Sequence, residues 1–532
     1  MRAVNTASGS SALAFPVGRA RAPVRWPWRL LGVLAALCGG AVLALLSHHL
    51  WNLDTQYVVV IVAAVALTAF SMLFLPRFSD FLLVSLMLSL PLASFTKSFF
   101  FVNWAHDARA KATMRFSGIV AVSLPDILLL GLYGMWFVNI FMLRRAPLPR
   151  LARHDLFPFL LIAACLLSMP GSVTPKAALF GTFFTLQHVA LYFYLSRHIE
   201  RRHLPWIAAA FAVAILGETL LGAFQYLTGK WLSLAWARGV GENLNSQYVV
   251  PGIEHVKRAT GTTFDSHAFG AYLAMLAPLP FVLTFAGGAG ARPRLRWGAV
   301  FLAACIAIVL SFSRSAWISA AVALAFVWFT HLAWGERGVL APTAMFALLL
   351  LALSPWYGPL IYRRFFETDS SLLTARFDQF PVAWAMWKDH FFFGYGVGNY
   401  MDGLKRYNQP GVLELPVHNM LLWVGAEAGL FGVIAFFGVL FGAFGRAWRV
   451  LRARREPYAR YALAVCAALL AYLVDGLTDP LFREPTVYTM VWVLVALSVA
   501  LARLDAPLTG RRAESAPVMA TPVGARMAGS AR

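Results

Sequence analysis

The sequence predicts an all-α fold, a polytopic transmembrane helical bundle of about fourteen spans with both termini on the cytoplasmic side. Three observations predict it. Hydrophobic residues make up 60% of the 532 and charged residues 13%, against about half and about a quarter in soluble domains, and mean hydropathy is +0.67. Apolar runs of about 18 residues or more recur along the chain. Lys and Arg crowd into the short loops between these runs, roughly three-fifths of them on one side. The net charge of +21 therefore reads as topology signal and attraction to anionic lipid headgroups, not as nucleic-acid binding. Cys38, Cys165, Cys305 and Cys466 lie inside apolar runs without paired spacing, which suits packing and neither a disulfide framework nor a metal site.

In chain order, residues 1–28 are a basic tail without apolar period, expected to be disordered and cytoplasmic. Spans are expected near 29–47, 57–75, 80–95, 125–143, 156–170, 177–196, 204–226, 267–285, 297–312, 315–333, 338–354, 418–443, 459–475 and 485–502. The first fills a bilayer and lacks an A-x-A site, so it reads as an uncleaved helix. The third and fifth are short, and are expected to be tilted, broken or partly re-entrant. An inside N-terminus puts Arg144 to Arg153, Arg197 to Arg202, Arg292 to Arg296 and the dense Arg446 to Arg460 cluster in the cytoplasm. The chain thus divides into N-terminal helices 29–226, a central block 227–443 with outer loops 227–266 and 355–417, C-terminal helices 444–502, and a disordered cytoplasmic tail 503–532. Within the second loop, Phe377, Phe380, Trp384 and Trp387 follow helical steps of three and four. That spacing predicts an amphipathic helix, with a kink or fresh start at Pro381, lying on the membrane or against the bundle.

Candidate chemistry gathers around that loop. His418 opens a span behind Pro416, in a first turn whose dipole disfavours the imidazolium and keeps a neutral base available to take a proton from a sugar hydroxyl. The same position suits an interfacial histidine that only caps the span. Asn419 orients a substrate or caps the helix, and Glu427, about 180° around the helix, is expected to contact another helix instead of orienting His418. Arg314 sits in Ser313-Arg314-Ser315-Ala316 between two spans with no acid nearby in sequence, so it needs an anion. A diphosphate suits its planar fork, and a salt bridge to a distant acid is the alternative. Arg258 and Arg376 carry weaker versions of that argument, with snorkelling as the alternative. Gly394-Tyr-Gly396-Val-Gly398-Asn399 follows no strand and is no dinucleotide fingerprint; its glycines are expected to allow a tight turn that brings backbone to a headgroup. No Walker A, His-Glu-x-x-His or Asp-x-Asp motif is present, and no cofactor is expected.

The ordered set Arg258-x-x-Gly261-x-x-Phe264, Ser313-Arg314-Ser315-Ala316, Arg376, Gly394-Tyr-Gly-Val-Gly398-Asn399, His418-Asn419 and Glu427-x-Gly429-Leu-x-Gly432 resembles the O-antigen ligase-like superfamily, over about residues 250–440. The superfamily includes O-antigen ligases, O-antigen and exopolysaccharide polymerases and protein O-oligosaccharyltransferases. The resemblance implies a GT-C-like membrane glycosyltransferase of the bacterial inner membrane. It would carry out metal-independent, inverting transfer on the periplasmic face from an undecaprenyl-diphosphate-linked glycan. It implies that His418 activates the acceptor hydroxyl and that Arg314, with Arg258 or Arg376, binds the donor diphosphate, with Asn419, Gly394, Gly396, Gly398 and Asn399 in support. Its partners would be the lipid-linked donor, a glycan or lipid A-core acceptor, and flippase and chain-length regulator proteins.

The span count favours a polymerase over a ligase. The rivals are a bicarbonate-like solute transporter, for which Glu218, Glu427 and Asp475 are the intramembrane candidates, an export scaffold, and a protein O-oligosaccharyltransferase. No matching halves are visible to support transport.

Overall fold

The computed structural model describes residues 78–98, 121–144, 147–229, 249–250, 253–263, 265–285, 290–340, 343–344, isolated positions from 351 to 366, 376–407, 416–479 and 481–506. The chain divides into units 1–81 and 82–532, and the second holds nearly all of these residues. The tail 1–28, the spans expected at 29–47 and 57–75, most of 338–354 and the tail beyond 506 lie outside them.

The elements are α1 (Phe78–Ser89), β1 (Thr96–Ser98), β2 (Ala121–Ser123), α2 (Leu124–Phe137), α3 (Leu156–Leu167), α4 (Pro175–His198), α5 (His203–Thr228), β3 (Val249–Val250), β4 (Ile253–Lys257), α6 (Ser266–Leu276), α7 (Pro278–Thr284), α8 (Ala291–Leu310), α9 (Arg314–Ala333), α10 (Gln379–Asp389), α11 (Tyr400–Tyr407), α12 (Met420–Ala453), α13 (Tyr458–Asp475) and α14 (Pro485–Asp505). Among the described residues nine helices are long and apolar enough to cross a membrane, each where a span is expected. The protein is a polytopic helical membrane protein. Two short antiparallel ladders, Thr96↔Ser123 to Ser98↔Ala121 and Val249↔Lys257 with Val250↔Ile253, qualify the all-α expectation. The second falls in the loop 227–266 expected outside.

The short spans are short for identifiable reasons. α1 passes into a 3-10 turn, Leu90–Ser94, with Pro91 near its start, because proline cannot donate to a continuing α-helix. α3 has 12 residues, so it rises about 18 Å, well under the roughly 30 Å of a hydrocarbon core. Its C-terminal end is completed by another part of the chain, since Val397 N donates to Ser168 Oγ at 3.3 Å and Thr174 N to Asn399 Oδ1 at 2.7 Å. α14 and the α6–α7 pair are the most enclosed helices, and α2 is the least. α13 packs against α6, α9, α12 and α14, while α10 packs on α12.

α12 is longer than the expected 418–443 and is kinked at Gly429, whose φ of 65° and ψ of −166° only glycine adopts without strain. The kink lets residues 391–396 cross the helix. Leu430 N donates to Phe391 O at 2.8 Å, Tyr395 N to Ala426 O at 2.8 Å and Gly396 N to Glu427 O at 2.9 Å. α10 presents Gln379, Val382, Ala383, Met386 and Trp387 to the protein and leaves Trp384 exposed, as is Phe377 just before the helix. Packing against the bundle is thus the role of one face, and Pro381 falls in the first turn, where a missing N–H costs nothing.

Candidate active site

Four helix ends meet at one place. Asp265 caps α6, its Oδ1 accepting from His267 N at 2.7 Å and Ala268 N at 3.0 Å. Ser313 caps α9, and its Oγ accepts from Ala316 N at 3.4 Å. Asn419 caps α12, its Oδ1 accepting from Leu422 N at 3.1 Å. The end of α13 joins them, since Met420 N donates to Gly476 O at 2.7 Å and Asn419 Nδ2 to Leu477 O at 3.4 Å. Three helix N-termini with their partial positive charge therefore converge on the segment after α13.

Asp479 lies at the centre of the meeting point. It is buried, and its Oδ2 accepts from His267 Nδ1 at 2.8 Å and from Ser315 Oγ at 3.3 Å. Ser313 Oγ is 3.1 Å from His267 Nδ1 and 3.0 Å from Ser315 Oγ. Burial raises the Asp479 pKa, but the bond and charge of His267, with Arg376 and His418 beyond, outweigh it and hold the carboxyl down to about 2. His418 shares this field. Burial pushes its imidazole down to about 4, with Arg376 and His267 adding to that and Asp479 opposing it. Its Nδ1 is buried and bonds to no described residue.

Three arginines complete the set. Arg258 follows β4 and is fixed by Ala259 N donating to Leu310 O at 2.9 Å and by its own Nε donating to Ser311 O at 3.0 Å. The turn that offers Ser311 O passes through Phe312, a buried non-glycine residue at φ 49°. Gln225 holds the next stretch, its Oε1 accepting from Thr260 N at 2.9 Å and Gly261 N at 2.8 Å. Arg258 is buried, its terminal NH2 nitrogen has no partner among the described residues, and burial lowers its pKa. Arg314 opens α9, and Arg258, Arg314 and Arg376 all feel one another's charge. Among the described residues none of the three forms an ion pair, so the alternative of a salt bridge for Arg314 is not realised there.

The structure thus brings together His418, Arg258, Arg314 and Arg376. It does not bring the glycine turn to them by any described contact. Gly394, Gly396 and Gly398 all have positive φ as a tight turn requires, but the turn is buried against α12 and the end of α3, not turned to a ligand. A Cβ on Gly394 would lie 2.3 Å from the Glu427 carbonyl carbon, so what the missing side chain admits is backbone of this chain. Asn399 supports that packing, and Asn419 is a helix cap. Glu427 meets Arg483 in a buried ion pair and accepts from Tyr400 N at 3.3 Å, which fits its expected contact with another part of the bundle.

Sequence reasoning missed His267 and Asp479. The only local sign of His267 is its place one residue inside a helix that begins Asp265-Ser266, and Asp479 lies four positions past Asp475 in a loop that otherwise looks ordinary. Asp475, buried at the end of α13, shares Ser315 with Asp479 and feels that carboxylate's charge, so it does not stand alone in a span. No group of three or more His, Cys, Asp or Glu is arranged to hold a metal ion among the described residues.

A comparison with curated proteins gives no match. A family model described as O-antigen ligase matches residues 298–437, from within α8 into α12 and so through Arg314, Arg376 and His418. That match supports function of the O-antigen ligase or polymerase type in general, and it agrees with the resemblance of residues 298–437 to the O-antigen ligase-like superfamily.

Proposed function

We propose that this protein transfers a glycan from an undecaprenyl-diphosphate-linked donor to a hydroxyl acceptor, with inversion, at the periplasmic face of the bacterial inner membrane. One observation carries the reading: three arginines without ion-pair partners among the described residues stand around a neutral histidine where three helix N-termini meet. Such a site has excess positive charge and a shortage of anions. A diphosphate supplies four or so oxygens for bidentate guanidinium contacts, and helix N-termini suit the same group. As the glycosidic carbon–oxygen bond breaks, negative charge grows on the departing diphosphate, and fixed cations stabilise it more than they stabilise the ground state. His418 accepts the hydrogen bond of the acceptor hydroxyl while that oxygen forms the new bond on the opposite face of the sugar.

The lysine- and arginine-rich loops expected inside support an outer position for the site. Polymerisation of an O-antigen or exopolysaccharide is preferred to ligation on span count, and a lipid A-core acceptor, flippase and chain-length regulator belong to the same proposal. The test is purified protein with undecaprenyl-diphosphate-linked glycan extracted from a strain lacking it. Wild-type protein should lengthen or transfer the glycan, and His418→Ala, still folded, should not. Equal product from both would remove His418 from the reaction, and no product from wild type would sink the reading. The surface glycan of the deletion strain separates the subclasses. One capped repeat unit means O-antigen polymerase, an unchanged ladder with lost slime means exopolysaccharide polymerase, and loss of all lipid A-linked ladder means ligase.

A further inference from the structure

The site contains two imidazoles, of which only His267 is bonded to the carboxylate of Asp479, and the proposed reaction so far uses only His418. They differ in a way that decides where a proton can rest. His267 gives Nδ1 to Asp479 at 2.8 Å, and its side chain keeps about 19% of its surface exposed. A carboxylate on Nδ1 fixes the tautomer, so the lone pair is on Nε2, and it balances the charge of an imidazolium. His418 has no carboxylate within ion-pair distance among the described residues, and its Nδ1 is buried without a partner. It can accept a hydrogen bond but is a poor place to store a positive charge beside Arg376.

We propose that His267, held by Asp479, is the residue on which the acceptor's proton comes to rest. This rests on the transfer reading above. The acceptor O–H bond breaks as its oxygen bonds to the anomeric carbon. The bond from that carbon to the donor diphosphate breaks, and its electron pair leaves on the diphosphate oxygen. The proton passes through His418 to Nε2 of His267, forms an imidazolium paired with Asp479, and is later lost to water. The groups that set this balance are Asp479 and Ser313 in contact with the ring, Ser315 bonded to both of these, and Arg258, Arg314, Arg376, Asp265, Asp475 and His418 in the surrounding field. His267 acts through His418, so it is a positioning and proton-holding residue.

The discriminating variant is His267→Asn. Its amide nitrogen takes the place of Nδ1–H and keeps the bond to Asp479, while Nε2 is deleted, so a merely structural role survives and a proton-holding role does not. With glycan donor extracted as above, kcat should fall about a hundredfold or more, the typical contribution of a positioned proton acceptor. KM for donor and binding of undecaprenyl diphosphate should stay within about threefold, and the acid limb of the kcat–pH profile should vanish or move. Asp479→Asn should move the same limb to lower pH in the wild-type background, because it removes the counter-charge of the imidazolium. A kcat for His267→Asn within about fivefold of wild type, or a reduced kcat with the acid limb unchanged, overturns the inference. If wild type transfers glycan, His418→Ala does not and His267→Asn does, only this inference fails. If wild type itself transfers nothing, the failure belongs to the functional reading.

Discussion

Arg314 offers a test in which binding and stability should move in opposite directions. It opens α9 half-buried, beside the like charges of Arg258 and Arg376, and among the described residues no carboxylate pairs with it. In the absence of donor, Arg314→Ala removes repulsion and a desolvated charge and breaks no ion pair. Thermal stability in detergent should be unchanged or higher. With donor, two charge-assisted hydrogen bonds are lost at about 1.5–3 kcal/mol each, so binding should weaken by about 3 kcal/mol or more, on the order of a hundredfold. Arg314→Lys keeps the charge and loses the fork, so its loss should lie between wild type and alanine. Melting curves with and without undecaprenyl diphosphate, and the affinity of the same lipid, read both arms. Added donor should raise the wild-type melting temperature and leave that of Arg314→Ala nearly unmoved. Equal destabilisation of Arg314→Ala in both conditions, with affinity unchanged, would refute the diphosphate role and point to a structural contact.

Three further outcomes follow from the packing and the charges. Gly429→Ala puts a Cβ 2.3 Å from the Phe392 carbonyl at φ 65°, where backbone cannot give way cheaply; it should cost about 3 kcal/mol from strain and the loss of the 391–396 crossing, seen as a lower melting temperature or loss of folded protein. Glu427→Gln removes the carboxylate from the buried pair with Arg483 and should destabilise by about 3 kcal/mol or more, and recovery of wild-type melting by that variant would show the pair to be unimportant. His418 carries a folded pKa of about 4 against the ordinary 6.5, so between those values the unfolded chain binds the proton that the folded one excludes. Stability should therefore be full above pH 6.5 and decline by about 2–3 kcal/mol as pH falls to 4; His418→Gln should flatten that slope, and an identical slope in the variant would show that His418 is not the group responsible.

The sequence alone determined what depends on short stretches of chain. Hydropathy over about 20 residues marks a helix that a bilayer can hold, and among the described residues nine such helices stand where the apolar runs predict them. Arg314 and His418 were legible for a similarly local reason, because each is a charged or ionisable side chain at the end of an apolar run, where an unpaired polar group needs a partner. Tertiary structure decided which partners they have. His267 and Asp479 are separated in chain order by the seven helices α7 to α13, and only the packing of α13 against α6 and α9 sets them 2.8 Å apart. The glycine turn carries the same conformational signal whether a ligand or another helix approaches it, so its sequence gives φ but not the occupant. The kink at Gly429 and the short α3 supply that occupant, and the turn fills the space they leave. A hydrogen bond or an ion pair falls off within a few ångströms, and separations on that scale are fixed by how the helices cross, not by their separate sequences.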